Sequence, residues 1–281
     1  MRHQRERDQT SRINDKALAM EQTIVSTLSQ EALKDSSRMP SSRLREAEKF
    51  TWADLAPLKF DPDTILRNRI VTANRSDPAH VAFDMMRTKL LQSMRQNNWT
   101  SVAITSPTPG CGKTFTALNL AFSLANQQDC KTLLLDLDLR RPQIGKALGL
   151  KHVTAMEGFL RGEVEIDDIF MRHGDNLAIA ANKYPVQYSA ELLQSAVAAE
   201  AIQKMRKRMS PDIVIFDLPP MLAADDVLAF LPNVDCVILV AAAEQSTLSD
   251  VDVCEQTLAE KTDVLGVVLN KCKFSAERYG Y

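Results

Sequence analysis

Four features of this sequence carry residues able to do chemistry in concert. The first is the run Ser106-Pro107-Thr108-Pro109-Gly110-Cys111-Gly112-Lys113-Thr114. Glycines at 110 and 112 let the backbone approach an anion closely and turn its N–H groups toward it. Lys113 adds a mobile point charge, and Thr114 offers a hydroxyl to Mg2+. This is the composition of a P-loop, with Pro109, Gly110, Cys111, Gly112, Lys113, Thr114 and Phe115 as the candidate phosphate-binding residues. Pro107 stands where the usual pattern has its first glycine. The second feature is Asp136-Leu137-Asp138-Leu139-Arg140. Carboxylates at i and i+2 share one face of an extended chain. Beside a phosphate site they suit metal coordination and the acceptance of a hydroxyl proton. The plainer alternative is a strand end with solvated acids and Arg140 as their counter-ion. Third, Ile213-Val214-Ile215-Phe216-Asp217 is an apolar run closed by an acid and stopped by Pro219 and Pro220. That is the Walker B arrangement, in which the aspartate holds Mg2+ directly or through water. Finally, Tyr279 and Tyr281 are two of four tyrosines and lie within the last three residues. Exposed phenols there suit phosphate acceptance, or are incidental to a frayed end.

These residues need a frame to bring them together. Short apolar runs at Val102–Thr105, Thr132–Asp136, Leu177–Ala180, Ile213–Phe216, Cys236–Val240 and Val264–Leu269 read as buried strands. Helical patterns separate them over 114–127, 190–209 and 247–261, and another helix precedes them over 78–96. Continuous apolar strands alternating with helices predict a three-layer α/β/α fold around a mainly parallel sheet. Ligands of such sheets bind at the carboxyl ends of the strands, where Lys113, Asp136 and Asp217 all fall.

The first 76 residues read as an N-terminal extension, largely flexible. Within it, 15–33 shows a helical pattern that is either transient or a docking helix for a partner. The segment 50–78 has scattered apolar residues and is expected to pack loosely on the core. Residues 77–273 form the nucleotide-binding domain and 274–281 a tyrosine-bearing tail. The chain is 45% apolar with a formal net charge of −2, enough apolar residue for a core and no general attraction to nucleic acid. Its one dense basic run, Lys204 to Arg208, ends a helix and has no interleaved aromatics. Neither a signal-peptide core nor a stretch of roughly 18 apolar residues occurs, so a cytoplasmic location is expected. Five cysteines without a C-x-x-C pair, and four histidines away from them, argue against a zinc site or disulfide framework. Cys236 and Cys272 read as small hydrophobes beside strands, and Cys111 as either an oxidisable thiol or a tolerated loop residue.

Together these features resemble the bacterial tyrosine kinases of capsule and exopolysaccharide biosynthesis, a branch of the P-loop ATPases that includes the division-site and partition ATPases. The family's loop Ser-x-x-Pro-Gly-x-Gly-Lys is matched by Ser106 to Lys113, which accounts for Pro107. Its Walker A′ motif Asp-x-Asp-x-Arg is matched by Asp136, Asp138 and Arg140, and its Walker B Asp-x-x-Pro by Asp217 and Pro220. Its tyrosine-rich tail is matched by Tyr279 and Tyr281, and residues 78–281 follow the family's order. The resemblance implies an ATP- and Mg2+-dependent protein-tyrosine kinase whose catalytic residues are Lys113, Asp136, Asp138 and Asp217. Thr114, Asp138 and Asp217 would hold Mg2+, and Asp136 or Asp138 would accept the tyrosine proton. Asn270 falls at the family's purine-contacting position; a buried strand-end Asn capping a turn is the other reading. The resemblance further implies tail autophosphorylation in trans within ring-like oligomers, and a membrane chain-length regulator that recruits the chain to the inner membrane. The absence of transmembrane helices resembles the split, cytosolic form. The family's first helix carries Glu-x-x-Arg-x-x-Arg for self-association; here Val81, Asp84 and Arg87 stand there, which implies weaker assembly. Two rivals share the fold: a positioning ATPase, disfavoured because 106–110 lack its extra lysine, and a non-catalytic nucleotide-sensing scaffold.

Overall fold

The computed structural model describes residues 50–73, 75 and 77–272. Their elements, in chain order, begin with β1 (Ala56–Pro57), α1 (Pro62–Arg67), α2 (His80–Asn97), β2 (Ser101–Thr105), α3 (Lys113–Ala125) and β3 (Thr132–Asp136). Then come α4 (Ile144–Ala147), α5 (Met156–Leu160), α6 (Ile166–Ile169), β4 (Phe170–His173), β5 (Leu177–Ala180), α7 (Ser189–Gln194) and α8 (Ala196–Met209). The chain continues through β6 (Ile213–Asp217), α9 (Asp226–Phe230), β7 (Cys236–Ala242), α10 (Leu248–Ala259) and β8 (Asp263–Asn270).

The strands form one eight-stranded sheet in the order β1-β4-β5-β3-β6-β2-β7-β8. Every pairing is parallel except β4 with β5. Successive side chains of each central strand feed opposite layers. Val102 and Ile104 of β2 and Leu134 of β3 pack with Ile65, Leu90, Met94 and the apolar residues of α3. Ala103, Leu133 and Leu135 pack on the other side with α5, α7, α8, α9 and Cys254 of α10. Both faces being covered explains why these strands are apolar at every position rather than at alternate ones.

The structure departs from the sequence expectations in several places. The helix expected over 190–209 is two helices. Ser195, in extended backbone at φ −68°, ψ 145°, separates them and caps the second through its Oγ, which accepts from the Ala198 N–H at 3.1 Å. A hydroxyl that satisfies a helix N-terminus competes with helix continuation through it. The short antiparallel strand β4, of mixed polarity, carried no alternating pattern. The segment 50–73, expected to pack loosely, is part of one compact unit with the rest of the described chain. Trp52, Leu55, Ile65 and Ile70 are buried in it. The Trp52 indole N–H donates to the Met209 carbonyl at 2.9 Å. Cys236 is buried as expected of a small hydrophobe, but Cys272 is exposed. Among the described residues, no helix is long and apolar enough to cross a membrane.

Candidate nucleotide site

Strand β2 lies between β6 and β7, so its outgoing chain meets the point where connections leave in opposite directions. The loop 106–112 leaves it there and turns into α3 through Gly112, whose φ of +97° is left-handed. A Cβ at Gly112 would collide with the side-chain amide of Asn270, so both the turn and the packing demand glycine here. Two of the loop's carbonyls are held by side chains at or just beyond the ends of β8 and β7. Asn270 at the end of β8 donates to the Cys111 carbonyl at 2.9 Å, and Gln245 donates to that of Pro109 at 3.1 Å. Lys271 in turn donates to Gln245 at 3.2 Å.

Lys113, the first residue of α3, is only 8% exposed. Its Nζ lies 2.7 Å from Asp138 Oδ2 and 3.5 Å from Asp217 Oδ1. Thr114 closes the group by donating its hydroxyl to Asp217 Oδ2 at 2.6 Å. Asp136 and Asp217 are direct register partners on β3 and β6, which puts the first Walker A′ acid beside the Walker B acid. Asp136 accepts the Ile144 N–H through Oδ2 at 3.0 Å, and Asp138 accepts the Arg141 N–H at 2.9 Å. Asp136 Oδ1 and Asp217 Oδ1 are buried without a hydrogen-bond partner.

Burial, then the Asp217 charge, pushes the Asp136 carboxyl well above the usual carboxylate range. Burial also raises Asp217, opposed by Lys113 and the Thr114 hydroxyl. For Lys113 burial favours the neutral amine, yet Asp217 and Asp138 outweigh it and hold the ammonium above its ordinary value. Burial pushes the Cys111 thiol up, but contacts with Ser246 (3.4 Å) and Thr108 bring it below its ordinary value.

The donor set suits Mg2+. Thr114 Oγ1, Asp138 and Asp217 are all hard oxygen donors, and Asp217 keeps a buried oxygen with no hydrogen bond. Among the described residues no three or more His, Cys, Asp or Glu side chains form a metal cage.

Lys113, Thr114, Asp136, Asp138 and Asp217 thus meet at one strand edge, with Pro109, Gly110, Cys111, Gly112 and Asn270 beside them. Phe115 faces elsewhere, its ring 5.6 Å from that of Phe83 on α2. Arg140 does not act as counter-ion to Asp136 or Asp138; its Nε contacts Asp226 Oδ2 at 2.7 Å. Arg87 is engaged within the chain, donating to Asp84 at 2.9 Å and to the Ser123 carbonyl at 3.1 Å. Tyr279 and Tyr281 lie outside the described residues. Sequence reasoning missed Gln245, Lys271 and Asp226, whose roles depend on distant partners that no local spacing records.

A family model described as ParA, NUBPL iron-transfer P-loop NTPase, matches residues 98–280. The tyrosine-protein kinase CpsD of Streptococcus pneumoniae serotype 4 is 32% identical over 187 residues, which cover 64% of this chain and 79% of CpsD. The chain belongs to the bacterial tyrosine-kinase family of P-loop NTPases. Another member, the tyrosine-protein kinase Etk of Escherichia coli K12, is 30% identical over 212 residues, covering 74% of this chain and 29% of Etk. The kinase domain of E. coli ETK superposes with a TM-score of 0.65 at 28% identity, covering 75% of this chain and 84% of that domain. Several other relatives are long proteins, of which this chain spans 29% to 31%.

Proposed function

We propose that the chain transfers the γ-phosphoryl group of ATP to protein tyrosines, Tyr279 and Tyr281 of the tail among them, within the machinery of capsule or exopolysaccharide export. The observation that carries this reading is the meeting of three separate motifs at one ammonium. Lys113 reaches Asp138 at 2.7 Å and Asp217 at 3.5 Å, while Thr114 donates to Asp217. A P-loop alone fits any nucleotide hydrolase. The additional acid Asp138, two residues beyond β3, gives a group able to take a phenolic proton. Relatives named for tyrosine-kinase activity support the acceptor assignment.

In this reading Lys113 and the N–H groups of 110–114 grip the β- and γ-phosphates, and Asn270 and Gln245 keep those N–H groups aimed by holding the loop's carbonyls. Thr114, Asp138 and Asp217 would hold Mg2+, which when bound neutralises charge on the transferring phosphoryl group. Asp136 or Asp138 would receive the tyrosine proton; both are buried, Asp136 accepting the Ile144 N–H and Asp138 the Arg141 N–H beside Lys113. Positioning and fixed charge supply most of the rate enhancement, since phosphoryl transfer asks little covalent chemistry of a protein. A membrane-bound regulator of polysaccharide export is the partner expected to recruit the chain to the inner membrane.

The test is to incubate the full chain with Mg2+ and ATP, alone and with the cytosolic segment of such a regulator, and to map phosphotyrosine by mass spectrometry. Label at Tyr279 or Tyr281 that disappears in Lys113→Met is the expected result. Intact ATP binding without phosphotyrosine under both conditions overturns the kinase assignment, and hydrolysis without phosphotyrosine points to a positioning ATPase.

A further inference from the structure

Asp226 belongs to none of the nucleotide-binding motifs, yet it is as buried as Asp136 and Asp217, with 0% of its surface exposed. It opens α9, at the far end of the loop that leaves the Walker B strand at Asp217. Its Oδ2 accepts from Arg140 Nε at 2.7 Å, and its Oδ1 has no hydrogen-bond partner. Arg140 is the arginine of the A′ motif, with its side chain 48% exposed. Its nearest other acid is the exposed Asp225, whose Oδ1 lies 3.8 Å from Nη2.

Burying a carboxylate against a half-exposed guanidinium is a poor way to stabilise a fold. The desolvation of the acid is paid in full, while the attraction is weakened by water on the arginine side. One carboxylate oxygen left without a hydrogen bond adds to that cost. The arrangement makes sense as a means of aiming the arginine. Nε is committed to Asp226, so the planar guanidinium is fixed in orientation, and Nη2 meets only the exposed Asp225 in a long, water-accessible pair at 3.8 Å. Two terminal nitrogens in a fixed fork match the oxygens of a phosphate. The contact also ties the A′ segment to the loop beyond Walker B, the same two segments whose acids meet at Lys113.

We propose that Asp226 is a positioning residue that holds Arg140 ready to bind the phosphate end of the nucleotide. This rests on the nucleotide site described above and adds a residue that acts only through Arg140. Asp226→Asn keeps the shape and an acceptor oxygen but removes the charge that fixes the guanidinium. Titration calorimetry with Mg2+-ATP and Mg2+-ADP on the full chain, on Asp226→Asn, on Arg140→Ala and on the double variant reads the coupling. The expected result is a loss of ATP affinity of about tenfold in Asp226→Asn, the scale of one charge-assisted hydrogen bond. In the Arg140→Ala background the same substitution should change affinity by less than about twofold, because its effect passes through a guanidinium no longer present. Equal losses in both backgrounds, with a lowered melting temperature, indicate a purely structural role and overturn the proposal, as does unchanged ATP affinity in Asp226→Asn. Where phosphotyrosine forms, the variant should raise KM for ATP more than it lowers kcat. A chain that binds ATP with this coupling but forms no phosphotyrosine supports the role of Asp226 while the kinase assignment fails. A chain that binds no ATP overturns both.

Discussion

The two ends of the central strands treat their polar side chains in opposite ways. At the amino ends, Asp235 Oδ2 accepts from the Thr100 N–H at 2.9 Å, the Ser101 N–H at 2.9 Å and the Ser101 hydroxyl at 2.7 Å. Asn176 donates to the carbonyls of Ala125, Gln127 and Cys130, Asp212 accepts the Lys131 N–H, and Trp52 donates to Met209. At the carboxyl ends, three buried acids crowd one lysine, and Asp136 and Asp217 each keep a buried oxygen without a hydrogen bond. At the amino ends these carboxylates, the amide and the indole all have partners and hold the fold together. The carboxyl end is left under-satisfied at a cost in stability, which is what a site awaiting an anion and a cation requires.

Substitutions at the two ends should therefore separate stability from function. Trp52→Ala at the amino end should remove about 3–5 kcal/mol of stability, measured by urea denaturation, while ATP affinity of the folded protein stays within twofold. Asp217→Asn at the carboxyl end should lower phosphotyrosine formation by about 10²–10³-fold yet leave the melting temperature equal or higher, because it removes a buried charge. A melting temperature several degrees lower in Asp217→Asn would break the comparison. Asp235→Ala should cost about 2 kcal/mol by orphaning the donors of residues 100 and 101, with no change in turnover.

The smallest effects are in pH dependence, where the two ends should have opposite signs. Burial and the Asp217 charge raise Asp136, so the folded protein keeps that proton to higher pH than the unfolded chain does. Its contribution therefore declines as pH rises from ~4, the unfolded value, through the folded value. Burial alone would raise Asp235 too, but its hydrogen bonds from residues 100 and 101 outweigh it and depress the folded value. Its contribution is complete above ~4 and is lost as pH falls through that depressed value. Urea midpoints measured from acid to neutral pH should show Asp136→Asn flattening the first trend and Asp235→Asn flattening the second.

Much of the site was legible because its chemistry is local. Gly110, Gly112, Lys113 and Thr114 lie within one turn and one helix start, and Asp136 and Asp217 each close an apolar strand that is recognisable by itself, with Asp138 two residues beyond the first. The central strands were legible for the same reason, being short continuous apolar runs. What escaped notice depends on partners far along the chain. Trp52 is anchored by a carbonyl 157 residues away. Arg140 is claimed by an acid 86 residues on, and the Cys111 carbonyl by Asn270, 159 residues on. The break at Ser195 was hidden because an amphipathic pattern runs through it and the capping hydroxyl leaves no periodic trace.

The sequence by itself determined the parallel α/β layering, the phosphate-gripping turn and the identity of the acids at the strand ends, because periodicity and turn chemistry act over a few residues. Only the tertiary structure decided which of those acids face Lys113, that Arg140 serves Asp226 rather than Asp136 or Asp138, and that residues 50–73 complete the core. These are choices among partners of equal local character, and packing the sheet between its two helical layers selects among them.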